Sequence, residues 1–455
     1  MTMGNIKSYG AVGDGVSDDR AAIQSAINAA TPADPVWVPT GIYRVGQAAG
    51  EFACLLAKPG IQILGESRTG SIIRAADGLG PSCSVLRIED APDVVLRDLT
   101  IDGNRAGQDV NQWRHGAFVK RSPRLSVCAV TFVGAGGDGI EIYDGSDDAI
   151  VTDVLCTANT RNGLTLGGGT TGGVFYRSQF TLNGAEQFDC EGGPVHHVTI
   201  RGCLFDAEGA SEDHVLTMTG SGAGDGARSR GWVVVDNVVN GSALILWIDD
   251  VIYARNTGIN PTVLPSVYVY RRCENIRIAG NVLHTTAPAA FDAGALVHVL
   301  AASSPGQASA GVRIEGNALT TTASATGISA IGARDILIAD NKVRGGGGGI
   351  GMFVRAILPS VPTESVIIER NSIIGFSDHG LYLGGNGVPP EVARILNTEI
   401  VGNTFDRPLM LGDDNNTAMT VTVADNGYDG PGHLVTRAPG GAPESWATGT
   451  RWTPL

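Results

Sequence analysis

The sequence predicts an all-β chain: a parallel β-helix of about 12 coils behind a short N-terminal capping helix. Three observations carry this. A phrase of alternating apolar residues ending in asparagine recurs along the second half of the chain. The 455 residues exceed what one ordinary core holds, yet no Pro- or Ser-rich linker divides them. The chain also opens with a turn, a helix and a strand, in the order of a cap followed by a solenoid.

The opening spans residues 1–50. Gly10, Gly13 and Gly15 let the backbone turn tightly, Asp18 supplies a capping carboxylate, and Ile23 and Ile27 form an i, i+4 apolar stripe. A short strand from Val36 to Val45, broken by Pro39-Thr40-Gly41, follows. The solenoid proper is expected over 51–428. There the asparagine phrase ends at Asn237, Asn256, Asn281, Asn317, Asn341, Asn371, Asn403 and Asn426, in steps of 19, 25, 36, 24, 30, 32 and 23 residues. These asparagines are predicted to stack at one corner, each side chain bonding to backbone where the chain turns. After Tyr428, Pro431, Pro439 and Pro443 break the periodicity while Trp446 and Trp452 offer anchors, so 429–455 reads as a tail that covers the last coil or mediates association.

Each coil carries a further strand whose alternation sets one side chain inward and the next outward. Inward positions read Phe118, Ile140, Leu164, Phe188, Leu216, Leu244, Val267, Val297, Ile328, Ile350, Leu381 and Leu409. The outward row then reads Val119, Glu141, Thr165, Asp189, Thr217, Ile245, Tyr268, His298, Ser329, Gly351, Tyr382 and Met410. On this outward, exposed face the acids Glu141, Asp189 and Glu191 stand as the catalytic candidates, with Asp138 and Asp144 nearby. Paired carboxylates suit glycoside hydrolysis, and a separation of two coils, roughly 9.5 Å, favours inversion. Trp247, Tyr268, Tyr270, His298, Tyr143 and Arg271 are the substrate-binding candidates, because aromatic faces pack on sugar rings while their polar edges hydrogen-bond. His115, His214 and His379 read as hydrogen-bonded corner residues. The run Arg114 to Arg121 and the pair Arg271-Arg272 read as the only positive patches near this face.

A formal charge of −14 repels nucleic acid and anionic membranes and makes a neutral or mildly charged glycan the expected oligo- or polysaccharide partner. No run reaches 18 apolar residues. The chain starts without a signal-peptide pattern, which fits a cytoplasmic, virion-associated or processed secreted protein. Seven cysteines, none in a C-x-x-C pair, read as buried fillers and not as disulfides or a zinc site. No metal or other cofactor is expected, apart from possible calcium at Asp413-Asp414-Asn415-Asn416. Gly345 to Gly349 lacks the Lys-Ser/Thr ending of a phosphate loop.

The stretch from Ile6 to Val45 resembles the N-terminal opening of the pectate-lyase-like superfamily, which includes polygalacturonases, alginate C5-epimerases and phage tailspikes. That resemblance implies a right-handed helix and, by likeness to tailspikes, a homotrimer. Thr100-Ile-Asp-Gly-Asn-Arg105 and Gly137-Asp-Gly-Ile-Glu-Ile-Tyr143 look like phrases of the epimerase modules. Where those epimerases carry Asp-Pro-His-Glu, this chain reads Glu141-Ile-Tyr-Asp144. Asp249-Asp250 and Asp378-His379-Gly380 echo polygalacturonase phrases, without the Arg-Ile-Lys that accompanies them. The leading expectation is a glycoside hydrolase or related glycosyl-transferring enzyme. The alternatives are a uronate lyase or C5-epimerase, in which Tyr143 and Arg271 or Arg272 act on the uronate, and a non-catalytic, tailspike-like glycan-binding protein.

Overall fold

The computed structural model describes residues 4–109, 111–206, 214–220, 228–286, 295–301, 308–321, 325–356, 361–385, 393–412, 417–430, 435–437 and 445–446. The chain is an all-β, right-handed parallel β-helix of about 13 turns, one more than the sequence suggests. It divides into two compact units, Met1–Val233 and Val234–Leu455.

In the first unit each coil visits three parallel sheets in turn. One lap runs through Ala117–Lys120, Ser126–Cys128 and Thr131–Val133 and returns to the starting sheet at Ile140–Tyr143. The sheet that holds Ala117–Lys120 and Ile140–Tyr143 is called the third sheet below. Successive coils stay in phase: Ala117 faces Ile140, Ile140 faces Leu164, and Leu164 faces Phe188. The core is therefore made of like residues stacked coil on coil. Phe180 and Phe205 stack with ring centroids 5.2 Å apart, and Phe188 meets Phe175 edge-on at 4.9 Å. Such pairs contribute about 0.5–1.5 kcal/mol each beyond burial.

The helix forms over Arg20–Ala29, with Ile23 and Ile27 fully buried. Asp18 does meet its first turn, accepting from the Arg20 N–H at 3.1 Å. The helix lies along Ala53–Leu56, the outermost strand of the third sheet. Gln24 accepts from the Leu56 N–H at 2.9 Å and donates to its carbonyl at 3.0 Å. Side chains of the helix thus satisfy backbone groups that an open sheet edge would leave unpaired.

The second unit winds the same three-sheet coil, and its asparagine ladder runs unbroken. Asn256 Oδ1 accepts from the Asn237 N–H, and the relation repeats through Asn281, Asn317, Asn341, Asn371, Asn403 and Asn426 at 2.8–3.0 Å. Segments of the tail extend the sheets: Val435–Arg437 pairs with Leu409–Leu411, and Trp446 faces Val421. Trp452 and the Asp413–Asn416 calcium candidate lie outside the described residues. All seven cysteines are free thiols, six of them buried.

The inward–outward assignment needs correction at three coils. Phe118 pairs with Glu141 and stands outward while Val119 is buried. Leu244 pairs with Tyr268, so Ile245 points in. Met352 and Phe353, not Ile350 and Gly351, occupy the inward and outward places opposite Ile328 and Ser329. Nor is the outward row exposed throughout: Glu141 is 6% exposed, Asp189 9% and His298 1%.

Candidate active site

Four consecutive strands of the third sheet, Ala117–Lys120, Ile140–Tyr143, Leu164–Gly167 and Phe188–Glu191, set out a grid of side chains. Alternation places Phe118, Glu141, Thr165 and Asp189 in one outward row and Lys120, Tyr143, Gly167 and Glu191 in the next. The corner two residues ahead of each strand adds a row of His115, Asp138, Asn162 and Glu186. Its backbone is kept in phase by Gly116 N–H to Asp138 O at 2.9 Å and Gly139 N–H to Asn162 O at 3.0 Å.

Asp138 is the hub of this grid and is fully buried. It accepts from the Asn162 N–H at 3.0 Å, Thr165 Oγ1 at 2.9 Å and Arg161 Nη1 at 3.2 Å. Arg161 also reaches Glu191 at 2.5 Å and Asp189 at 3.8 Å, and Asn162 Nδ2 donates to Asp189 at 3.1 Å. His115 lies between two acids, with Nδ1 3.4 Å from Asp138 and Nε2 3.0 Å from Glu141. The Asp138 N–H also points at Nδ1, at 3.2 Å. The oxygen that Glu141 turns to His115 is Oε2, which is itself buried.

Burial pulls the His115 imidazole down, but hydrogen bonds and charge from Asp138 and Glu141 outweigh it and hold the group up at about 9. Burial is also the largest influence on Asp189 and raises its carboxyl to about 6; Glu191 adds to this, while Glu186 and Arg161 oppose it. One acid and one base in the grid are therefore displaced from their ordinary ranges, as catalytic groups commonly are.

A groove of about 630 Å³ opens over this grid. His115, Glu141, Tyr143 and Glu191 form part of its lining, with Arg87, Lys120 and Phe118 beside them. Phe52 and Trp113, both more than half or about half exposed, stand at the groove as well. The Tyr143 ring packs so closely on Gly168 that an added Cβ there would lie 2.6 Å from the ring, and Gly168 itself has φ +62°. Glycine at that corner is what lets the phenol lie flat along the groove.

His115, Asp138 and Glu141 place potential metal-ligand atoms within 4.8 Å of one another. Asp138 already accepts three donors, and the two ring nitrogens of His115 face different acids.

Of the residues singled out in the sequence, Glu141, Asp189, Glu191 and Tyr143 come together here. Trp247, Tyr268, Tyr270, Arg271 and His298 belong to the second unit. Two central groups have other roles than the sequence suggests. His115 is buried between two acids and not a simple corner, and Arg161 adds a positive group that the basic-patch reading omits. The signal for His115 was the step: His115, Asp138, Asn162 and Glu186 recur every 23 or 24 residues, in phase with the strands they precede. Arg114, in contrast, is spent on the carbonyls of Leu79, Gly80 and Asp109, and Asp144 pairs with Lys120 and Arg121.

Residues 3–243 match the model of the family described as "Rhamnogalacturonase A/epimerase, pectate lyase-like". The chain belongs to that family. Among individual relatives it is 42% identical over 122 residues to mannuronan C5-epimerase AlgE4 of Azotobacter vinelandii, covering 25% of this chain and 22% of that protein. It is 39% identical over 109 residues to alginate lyase 7 of the same organism, covering 22% of this chain and 13% of the relative. It is 31% identical over 132 residues to the preneck appendage protein of Bacillus phage PZA, covering 28% and 14%. The matched stretch thus spans less than a quarter of each relative. Among solved structures, the pre-mature bacteriophage phi29 gene product 12 aligns with a TM-score of 0.51 at 14% identity, over 93% of this chain and 68% of that one, a likeness of fold.

Proposed function

We propose that the groove of the first unit binds a uronate-containing polysaccharide and that the protein acts on it by proton transfer at C5, as a lyase or C5-epimerase. The observation that carries this is His115 gripped between Asp138 and Glu141 beside Tyr143, in a groove that also presents Lys120 and Arg87. Proton abstraction next to a carboxylate needs a base, a cation to take up the growing negative charge, and an acid across the sugar ring. Glu141 takes the C5 proton, and His115, 3.0 Å away, holds the carboxylate in place. Lys120 or Arg87 faces the sugar carboxylate as the enolate forms. Tyr143 then returns a proton to C5 from the other face, giving the epimer, or donates it to the C4 oxygen as the C4–O bond breaks, giving an unsaturated sugar. The epimerase and lyase names of the relatives point the same way.

Hydrolysis is the second reading, favoured by Asp189, whose carboxyl at about 6 suits a general acid. Arg161 weakens it, because the guanidinium at 2.5 Å engages Glu191, the partner carboxylate that hydrolysis would require as base. The experiment is incubation with polymannuronate and polygalacturonate in deuterated buffer. Deuterium at C5, or absorbance from a new C=C bond, is expected, and both are expected to vanish in Glu141→Gln. New reducing ends without unsaturation would replace this reading with hydrolysis; binding with no product would replace it with a non-catalytic role.

A further inference from the structure

In the third sheet, the residue that follows a strand adopts a left-handed backbone at many of the corners. In the first unit Asp90, Asp144, Gly168 and Gly192 occupy that place, residue types that tolerate positive φ, together with Arg121. In the second unit Gly332 and Gly412 do the same, but Trp247 (φ 51°) and Arg271 (φ 52°) stand at the corners after Ser242–Leu246 and Val267–Tyr270. A tryptophan in this conformation is a strained choice, and strain of this kind gathers at ligand clamps.

The surroundings of Arg271 are unlike those of the other corner arginines. Arg121, Arg124, Arg177, Arg255 and Arg370 each pair with an aspartate. Arg271 has no carboxylate partner among the described residues, and its buried Nε makes no hydrogen bond. Its guanidinium lies instead over the rings of Tyr270, at 4.6 Å, and Trp247, at 5.2 Å. Tyr270 in turn stacks on Tyr268 at 5.0 Å, and Tyr268 meets the His298 ring at 5.3 Å. His298 is 1% exposed and its Nδ1 has no partner. Burial holds that imidazole neutral, down at about 4, so Nδ1 or Nε2 stays available as an acceptor. Leaving such groups unpaired is unfavourable unless a ligand or water satisfies them.

We infer that Trp247, Tyr268, Tyr270, Arg271 and His298 form a second carbohydrate-binding surface, on the second unit, that takes an acidic sugar. The rings supply faces for the apolar side of a pyranose, Arg271 supplies a planar donor fork for its carboxylate, and His298 an acceptor for a hydroxyl. Charge complementarity selects the ligand: a guanidinium with no acid partner among the described residues, in a chain of formal charge −14, is a local exception that favours an anion. The choice of a uronate as probe rests on the reading of the groove given above; the surface itself does not.

The test is calorimetric titration of the full chain with a short oligomannuronate. Arg271→Asn combined with Tyr270→Ala is expected to lower the number of sites per chain by one, or to weaken that site at least tenfold. Asparagine is used because it accepts the left-handed backbone. Trp247→Asn, which keeps the same corner conformation and removes the ring, is expected to act in the same direction, and thermal melts establish that both variants are folded. Wild type and both variants binding the same number of sites with the same affinity would overturn the inference, as would an absence of binding by the wild type. If the groove reading alone is wrong, the wild type binds one equivalent fewer than expected and the variants still lose a site.

Discussion

Raising the pH should destabilise the first unit through one histidine. His115 is held at about 9 in the folded chain, against 6.5 when unfolded, because two buried acids favour its proton more than burial opposes it. A group whose folded value is raised contributes stability that is complete below its unfolded value and is lost as pH climbs through its folded value. The window is therefore pH 6.5 to 9, and the difference corresponds to about 3 kcal/mol. Two assays read it. Imidazole signals followed by NMR should show one histidine titrating near 9, absent in His115→Asn. Urea unfolding at several pH values should show wild-type stability falling across that window while His115→Asn stays flat. The Asp138 N–H directed at Nδ1 favours the neutral ring, so the experiment sets that single dipole against two carboxylates. A histidine titrating at or below 6.5, or superimposable pH profiles for the two proteins, would refute the charged relay.

Asp189, raised to about 6, has the same sign at lower pH: its contribution is complete below 3.8 and lost as pH rises through 6, so Asp189→Asn should gain up to about 3 kcal/mol at pH 7 relative to pH 4, as read by chemical denaturation. Asp138→Ala should cost about 3–5 kcal/mol, because Arg161 and His115 would lose a buried counter-charge, and calorimetry should show the low-temperature transition of the altered unit. Asn317→Ala should cost about 2–4 kcal/mol by thermal or urea unfolding, since it removes the acceptor for both Asn281 donors and the side-chain donor to Ile278 O and Asn341 Oδ1. Glu191→Gln should leave the melting temperature nearly unchanged by thermal unfolding, as its side chain is 41% exposed and its ion pair is with Arg161.

The fold was legible because a solenoid repeats its constraints. One polar residue per coil that must bond the next coil leaves a recurrent asparagine, and strict alternation puts Glu141, Thr165 and Asp189 in line. Where the alternation carried no contrast, the reading slipped. Phe118 and Val119 are both apolar, as are Leu244 and Ile245, so either member fits the inward place. At Ile350 and Gly351 the extra glycines ahead of the strand hid a shift of two residues. Corner residues were harder still. His115 and Arg161 belong to no period-two pattern, and what brings them to Glu141 and Glu191 is corner geometry and the reach of a long side chain. The same reach closes over the acids, which is why a face drawn as open holds carboxylates that are almost out of water.

The asparagine ladder bears on how such a chain changes over generations. Every rung bonds the neighbouring rungs and a backbone carbonyl nearby, in the same pattern each time, so its geometry holds no memory of position along the stack. A duplicated or deleted lap would find matching partners on both sides and leave the acid-lined grid of the first unit unchanged. Length in the second unit is thereby free to drift or be selected on its own, one whole turn at a time.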